Sequence, residues 1–306
     1  MILIADLGAT NARFCITEDK RTYKHQLKYS INEFDSLDEL CFEYLNELDI
    51  GPVERAIIGV AAPVQGDQVS FVNTDLKFSI KALKKNIFPK GLLVVNDLEL
   101  QGHALFNLKA KDLIYIAGTA LKDGTKILVA PGTGLGLSGI IGKSVIATEA
   151  GHINIANSAT KSQIKDIVDA FAKEKGRQPN YEDFLSGKGI KFFHECLSGI
   201  SDNFLSSEEI LSRRDDQYCY ETIKLISFLL SSYLRYMALV WGAAGGVLIS
   251  GSIVSSLLKE EDFGEFRREF VNSETMQGFL SEIPLAVVNV KEIGFLGGIE
   301  LSKKLN

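Results

Sequence analysis

The sequence predicts an α/β protein built from two related halves. Three observations carry that expectation. Apolar runs of strand length alternate with helix-period segments; small-residue turns directly follow a strand in each half; and 306 residues with 46% hydrophobic composition are enough to bury two cores.

In chain order, Ile2 to Ala5 and Arg13 to Thr17 read as hairpin strands around a small-residue turn, and Tyr23 to Tyr29 reads as a third strand. Leu37, Leu40, Cys41, Tyr44, Leu45 and Leu48 recur at helical spacing behind Asp35 and Ser36, either of which can cap the helix. The apolar runs Ala56 to Ala61 and Leu92 to Val95 flank a helix expected over Ser79 to Asn86. In the second half come a strand at Ile127 to Ala130, a Gly-rich turn, a strand at Leu137 to Ile141, several helices and a strand at Val247 to Ser250. The longest apolar region, Leu225 to Ile249, is broken by Arg235 and by Ser and Gly, and its uncharged remainder is too short to span a bilayer comfortably. It therefore predicts a buried helix followed by a strand, and no membrane partner.

Composition narrows the function classes. A net charge of −6 argues against a general nucleic-acid surface, so an anionic ligand needs a local site. Cys15, Cys41, Cys196 and Cys219 form no CxxC pair, which signals neither a zinc knuckle nor a disulfide framework and fits a reducing cytoplasm. The first residues lack a basic leader, an isolated apolar stretch and a cleavage site, so no signal peptide is expected. Repeats and Pro-rich linkers are also not evident.

The segment Ile2 to Phe14, ILIADLGATNARF, delivers one carboxylate, Asp6, into a turn of Gly8, Ala9, Thr10 and Asn11. Little side-chain bulk lets backbone N–H groups approach phosphate oxygens, and an acid at the strand end can hold hydrated Mg²⁺ beside them. A second turn, Gly132, Thr133, Gly134, follows the strand ending near Ala130. Residues Gly134 to Gly139 match GxGxxG, but the following LSGIIGKSVIAT reads as strand and turn, whereas a dinucleotide fingerprint must open a helix. A Walker loop narrowly fails, since Leu137 stands where its first Gly belongs. A third segment, GAAGGVLISGSIV, places Gly245 and Gly246 where a base or ribose can lie against backbone; taken alone, close helix-on-sheet packing explains them better.

Together DLGATNAR at Asp6 to Arg13, APGTGLG at Ala130 to Gly136 and GGVLISGSIV at Gly245 to Val254 resemble the phosphate and adenosine segments of the hexokinase, actin and heat-shock ATPase superfamily. The resemblance is closest to bacterial glucokinases and covers nearly the whole chain through AAPVQGDQVSFVNTDLKFS, LLVVNDLELQGHAL, TEAGH, YEDFLSGKGI and GFLGGIEL. The cysteine cluster that binds zinc in a related group of sugar kinases is absent, which sets the resemblance with the non-zinc type. Ala9 stands where the pattern usually has a second Gly, and Ala150 where it has Gly beside Glu149.

The resemblance implies a two-domain actin-like ATPase (ribonuclease H-like) fold with a central cleft. A small domain is expected over 1–107 plus 292–306, joined by a C-terminal helix beginning near Gly297, and a large domain over 108–291. It also implies ATP-dependent phosphorylation of the 6-hydroxyl of glucose, as the first step of glycolysis. Asp97 matches the catalytic base; in isolation it reads as a turn or capping acid before Leu98. Asn73, Asn96, Asp97, Glu149, His152 and Glu182 match sugar-holding positions, whose carboxylate, amide and imidazole groups suit a polyol. Asp6, Gly8, Ala9, Thr10, Asn11, Gly132, Thr133, Gly134, Gly245 and Gly246 match the nucleotide side, with Asp6 holding Mg²⁺ mainly through water. Glucose and ATP are the expected partners; the long amphipathic helices are compatible with a homodimer. Alternatives are a kinase for another hexose or another phosphoryl donor, and a sugar-binding sensor with weak catalysis.

Overall fold

The computed structural model describes residues 1–8, 10–48, 50–71, 76–156, 161–200 and 205–305. They divide into two compact units, Met1–Lys109 with Val290–Asn306 and Ala110–Asn289.

The first unit opens with β1 (Ile2–Leu7), β2 (Asn11–Thr17) and β3 (Lys24–Ser30), an antiparallel meander, followed by helix α1 (Leu37–Asn46). Ser36 caps α1, its side chain accepting from Glu39 N–H at 3.1 Å, a bond worth about 1 kcal/mol. Next come β4 (Arg55–Val60), a short hairpin of β5 (Gln68–Ser70) and β6 (Lys77–Ser79), α2 (Ile80–Asn86), β7 (Gly91–Asn96) and α3 (Asp97–His103). β1, β4 and β7 run parallel, and the five-stranded sheet has the order β3-β2-β1-β4-β7.

The second unit contains β8 (Leu113–Ala117), β9 (Lys126–Pro131), β10 (Leu135–Ile141) and β11 (Ser144–Thr148). Its helices are α4 (Ser162–Lys175), α5 (Tyr181–Phe184), α6 (Gly187–Ser198), α7 (Ser207–Ser212) and α8 (Gln217–Trp241). β12 (Gly246–Ile249), α9 (Ser252–Leu257), α10 (Phe263–Phe270), α11 (Gln277–Ser281) and β13 (Leu285–Val288) complete it. The sheet order is β11-β10-β9-β12-β13-β8. β9, β10 and β11 repeat the meander of β1, β2 and β3, and β12 and β13 repeat the parallel pair β4 and β7, with β8 added at the edge. The expectation of related halves is met at the level of topology.

Two local expectations are decided here. The GxGxxG segment lies along β10 and passes through a turn with Gly142 at φ +60° into antiparallel β11, so it opens no helix. Helix α8 is long and apolar enough to cross a membrane, yet 67% of its most apolar stretch is buried, with Leu225, Leu229, Tyr233 and Met237 in the core of its own unit. β8 and β13, which the sequence reading did not name, are runs of five and four residues with no alternation to mark them.

After β13 the chain returns to the first unit as α12 (Ile293–Ser302), four residues earlier than its expected start near Gly297. The reason lies in how β1 is covered. All six β1 residues are buried, and strand alternation divides them. Leu3, Ala5 and Leu7 join Phe14, Tyr44 and Phe88 on one face, whereas Ile4 meets Phe295 and Ile299 on the other. Asp6 has the parity of Ile4 and so faces α12. A Cβ on Gly294 would stand 2.5 Å from Asp6 Oδ2, and one on Gly298 would clash with Ile4 Cγ2. Four helical residues advance about 6 Å and two strand residues about 6.6 Å, so glycines four apart on α12 seat the helix over side chains two apart on β1.

Candidate active site

In the first unit, parallel register sets Leu7 beside Val60 and Val60 beside Asn96. The C-terminal ends of β1, β4 and β7 therefore form one edge, with the backbones of β1 and β7 roughly 10 Å apart across the two strand spacings. That edge carries Asp6, the 8–11 turn, Asn96 and Asp97. Gly8 N–H donates to Asn11 C=O at 3.0 Å, and Thr10 C=O accepts from Ile31 N–H at 3.1 Å, which fixes the turn and leaves Thr10 exposed. Ala9 and Asn73, both expected site residues, lie outside the described residues.

Asp6 is 7% exposed. Burial raises its carboxyl to about 6; the Arg13 guanidinium, 4.0 Å away, opposes the shift, and the Glu292 charge adds to it. Arg13 Nε in turn lies 3.4 Å from Glu292. An Mg²⁺ ion near Asp6 fits this setting, because a single buried carboxylate that resists ionisation gains from an adjacent cation.

Asn96 is the N-cap of α3, its Oδ1 accepting from Leu98 N–H at 2.8 Å and Glu99 N–H at 3.4 Å while its amide donates to Ala62 C=O at 3.3 Å. Its carbonyl thus serves the helix start. Asp97 is the first helical residue and half-buried, with Oδ1 accepting from Leu98 N–H at 2.9 Å. The capping role conceivable for Asp97 belongs to its neighbour.

In the second unit, the turn after β9 is closed by Gly132 N–H donating to Gly134 C=O at 2.8 Å, and Gly132 C=O accepts from Gly187 N–H at 3.0 Å. The expected phosphate donor at Gly132 is therefore engaged within the turn, and Thr133 is its exposed member. Gly132 and Thr133 line a cavity of about 390 Å³ with Gly187, Lys188, Lys191, Ser207, Glu208, Leu211 and Ile253. Gly134 has another role: a Cβ there would stand 2.7 Å from Glu182 Oε2, which accepts from Leu135 N–H at 2.9 Å. Around the same turn, Gly151 packs against Leu135 C=O, holding the single helical turn Ala150–His152 in place. His152 Nε2 lies 3.7 Å from Glu149, and its Nδ1 lies 3.3 Å from the Asn180 amide. Glu149, His152 and Glu182 are thus gathered on the Gly134–Leu135 segment, with Glu149 and His152 side chains 63% and 50% exposed.

Gly245 and Gly246 are not brought to this cavity. β12 parallels β9 with Gly246 beside Lys126, so both glycines sit at the opposite end of the strands from Gly132. A Cβ on Gly245 would stand 2.6 Å from Gly124 C=O, and one on Gly246 2.8 Å from Leu121. Close backbone packing explains them. At the other end of β12, Gly251 has φ +108°, and a Cβ there would stand 2.6 Å from Pro131 C=O.

Sequence reasoning missed Asn180, Arg13, Glu292, Lys188 and Lys191. Asn180 carried a signal in its capping box with Asp183, and the two lysines lie in the quoted YEDFLSGKGI segment and just beyond it. A second cavity, about 330 Å³, is lined by Tyr220, Lys224, Phe228, Arg268 and Glu269 and holds none of the expected site residues.

The glucokinase family model matches residues 3–304. A glucokinase from Chromobacterium violaceum is 31% identical over 297 residues, covering 94% of this chain and 84% of that protein. A bifunctional protein glk from Paraburkholderia xenovorans is 30% identical over 306 residues; the chain spans 48% of its length. The crystal structure of a glucokinase from an Antarctic psychrotroph superposes with a TM-score of 0.80 over 99% of this chain and 98% of that one, at 25% identity. The fold is the two-domain actin-like ATPase fold of those enzymes. With its matching model, relatives and strand order, the chain belongs to the glucokinase family.

Proposed function

We propose that the protein is a sugar kinase that transfers the γ-phosphoryl group of ATP to the 6-hydroxyl of glucose, the first step of glycolysis. The observation that carries this reading is the family match over residues 3–304 combined with Asp6, the 8–11 turn and Asp97 on one sheet edge. Phosphoryl transfer asks a protein mainly for positioning and charge stabilisation. Asp97, held at the first position of α3, accepts the proton of the attacking hydroxyl and orients that oxygen.

Glu149, His152 and Glu182, with Asn180, Asn96 and Asn73, are assigned to the sugar. Exposed carboxylate and imidazole groups replace their water with sugar hydroxyls, and a sugar lacking one matched hydroxyl loses about 1–3 kcal/mol. The nucleotide phosphates are assigned to Thr10, Thr133, Lys188 and Lys191, and the rest of the nucleotide to the cavity walls at Leu211 and Ile253. Asp6 is the residue that would hold Mg²⁺, through water. When bound, Mg²⁺ neutralises charge on the phosphates. Domain limits of 1–107 plus 292–306 and 108–291 belong to the same proposal, as does a cytoplasmic location, which the free cysteines Cys15, Cys41, Cys196 and Cys219 support.

The test is a coupled assay of the purified chain with Mg–ATP across a panel of hexoses, with glucose binding measured in parallel. Glucose turnover exceeding that of other hexoses supports the reading. Glucose binding without turnover replaces it with a sensor, and faster turnover of another hexose replaces the substrate.

A further inference from the structure

We propose a metal site for a zinc-class divalent ion at His194, Asp216 and Cys219, in the second unit and separate from the residues assigned to phosphoryl transfer. One potential ligand atom from each residue lies within 4.8 Å of the others. The residues come from two elements: His194 lies in α6, Asp216 is the N-cap of α8, and Cys219 lies in the first turn of α8.

The donor set decides the ion class. Imidazole nitrogen and thiolate sulfur with one carboxylate oxygen suit Zn²⁺ or Co²⁺, whereas Mg²⁺ and Ca²⁺ take oxygen donors. The surroundings fit three protein ligands and one open position. His194 is 5% exposed and Cys219 fully buried, while Asp216 reaches solvent, where a water can complete a tetrahedron. Asp216 Oδ1 accepts from the Tyr218 and Cys219 N–H groups, each at 2.9 Å, which fixes the carboxylate as outer-sphere bonds do around known metals and leaves Oδ2 as the donor to the ion. On binding, the ion replaces the Cys219 thiol proton, which leaves to solvent as the metal–sulfur bond forms.

The ion would fasten the C-terminal half of α6 to the start of α8. Helix α6 begins with Gly187 and Lys188 at the wall of the 390 Å³ cavity, so the site braces an element that carries the proposed nucleotide-binding residues. The metal site itself does not depend on that functional reading. Nor is it the cysteine cluster of the zinc-binding sugar kinases: its ligands are 22 and 3 residues apart in sequence and meet only in the folded unit.

The test is Co²⁺ titration of the full-length, chelator-treated protein, read by the near-ultraviolet thiolate-to-cobalt charge-transfer band. One equivalent of Co²⁺ should produce the band, and Zn²⁺ should abolish it by displacement. Cys219→Ser should remove it. Asp216→Asn keeps a good N-cap and serves as the variant that preserves the fold; it should weaken Co²⁺ binding about tenfold or more. Cys196→Ser, which removes the exposed thiol of α6, should change nothing. A missing band in the wild type, a band retained in Cys219→Ser, unchanged affinity in Asp216→Asn, or a band lost in Cys196→Ser overturns the site.

Discussion

Asp6 in the first unit lies 7% exposed beneath α12, whereas the Glu149 side chain in the second is 63% exposed and meets His152 across 3.7 Å. Both are carboxylates assigned to ligands, yet the fold prepares them differently. Asp6 sits in a fixed place between Gly294, Arg13 and Glu292, and its burial already raises its proton affinity. Glu149 keeps its hydration and has little holding it except a one-turn helix. A metal-holding acid gains from being fixed and dehydrated before the cation arrives, while a sugar-holding acid exchanges water for hydroxyls one bond at a time.

The largest effect expected from breaking this contrast lies at Asp97. Asp97→Asn keeps the side-chain oxygen that accepts from Leu98 N–H but removes the proposed base, so kcat should fall about 10²–10⁴-fold with the melting temperature little changed. A smaller loss of kcat would mean that another group takes the proton. Next is Glu149→Gln, expected to raise KM for glucose about 5- to 150-fold, equivalent to about 1–3 kcal/mol. Because Glu149 is exposed, its stability should stay within about 0.5 kcal/mol of the wild type. A large drop in melting temperature would show that the second unit also relies on this acid structurally.

Gly294→Ala sharpens the comparison from the other side. Its methyl group would meet Asp6 Oδ2, so α12 must lift from β1, at a cost of about 1–3 kcal/mol even after the higher helix propensity of Ala. Gly264→Ala is the control: nothing lies within 4 Å of the added carbon in α10, and the variant should be more stable by about 0.5–1 kcal/mol. Thermal unfolding of both variants reads the difference, and equal melting temperatures would remove the tight seat proposed for α12.

The smallest effect concerns pH. The folded-state carboxyl of Asp6, near 6, lies above its unfolded value, so its stabilising contribution is complete below about 4 and is lost as pH rises through about 6. Arg13→Gln removes the cation that opposes the shift and should move this loss to higher pH. Melting temperatures from about pH 4.5 to 7.5 check the sign; an unmoved or downward-moved transition would break the assignment to Asp6.

Much of this molecule was legible in advance where a residue's neighbours in sequence are also its neighbours in space. Ser36, one of the two residues offered as a cap, caps α1; the helix expected over Ser79 to Asn86 forms over Ile80–Asn86; and Asp6 stands near the end of the first strand. Less was legible where packing depends on backbone that the local pattern does not show. Gly245 and Gly246 resemble ligand-facing glycines in sequence, but Gly124 and Leu121 fill the space beside them. Gly132 carries the motif of a phosphate donor, and its C=O is held by Gly187 N–H from a segment 55 residues onward.

The sequence by itself determined the alternation of strands and helices and the two-half plan, because apolar periodicity, caps and turn residues are local properties of the chain, and its ordered motifs carried the resemblance to the family. Only the tertiary structure decided which face of β1 buries Asp6, which glycines face a cavity, and that His194 meets Asp216 and Cys219. Those outcomes depend on register between strands and on the seating of one helix against another, where a shift of a single residue or a few ångströms exchanges one neighbour for another.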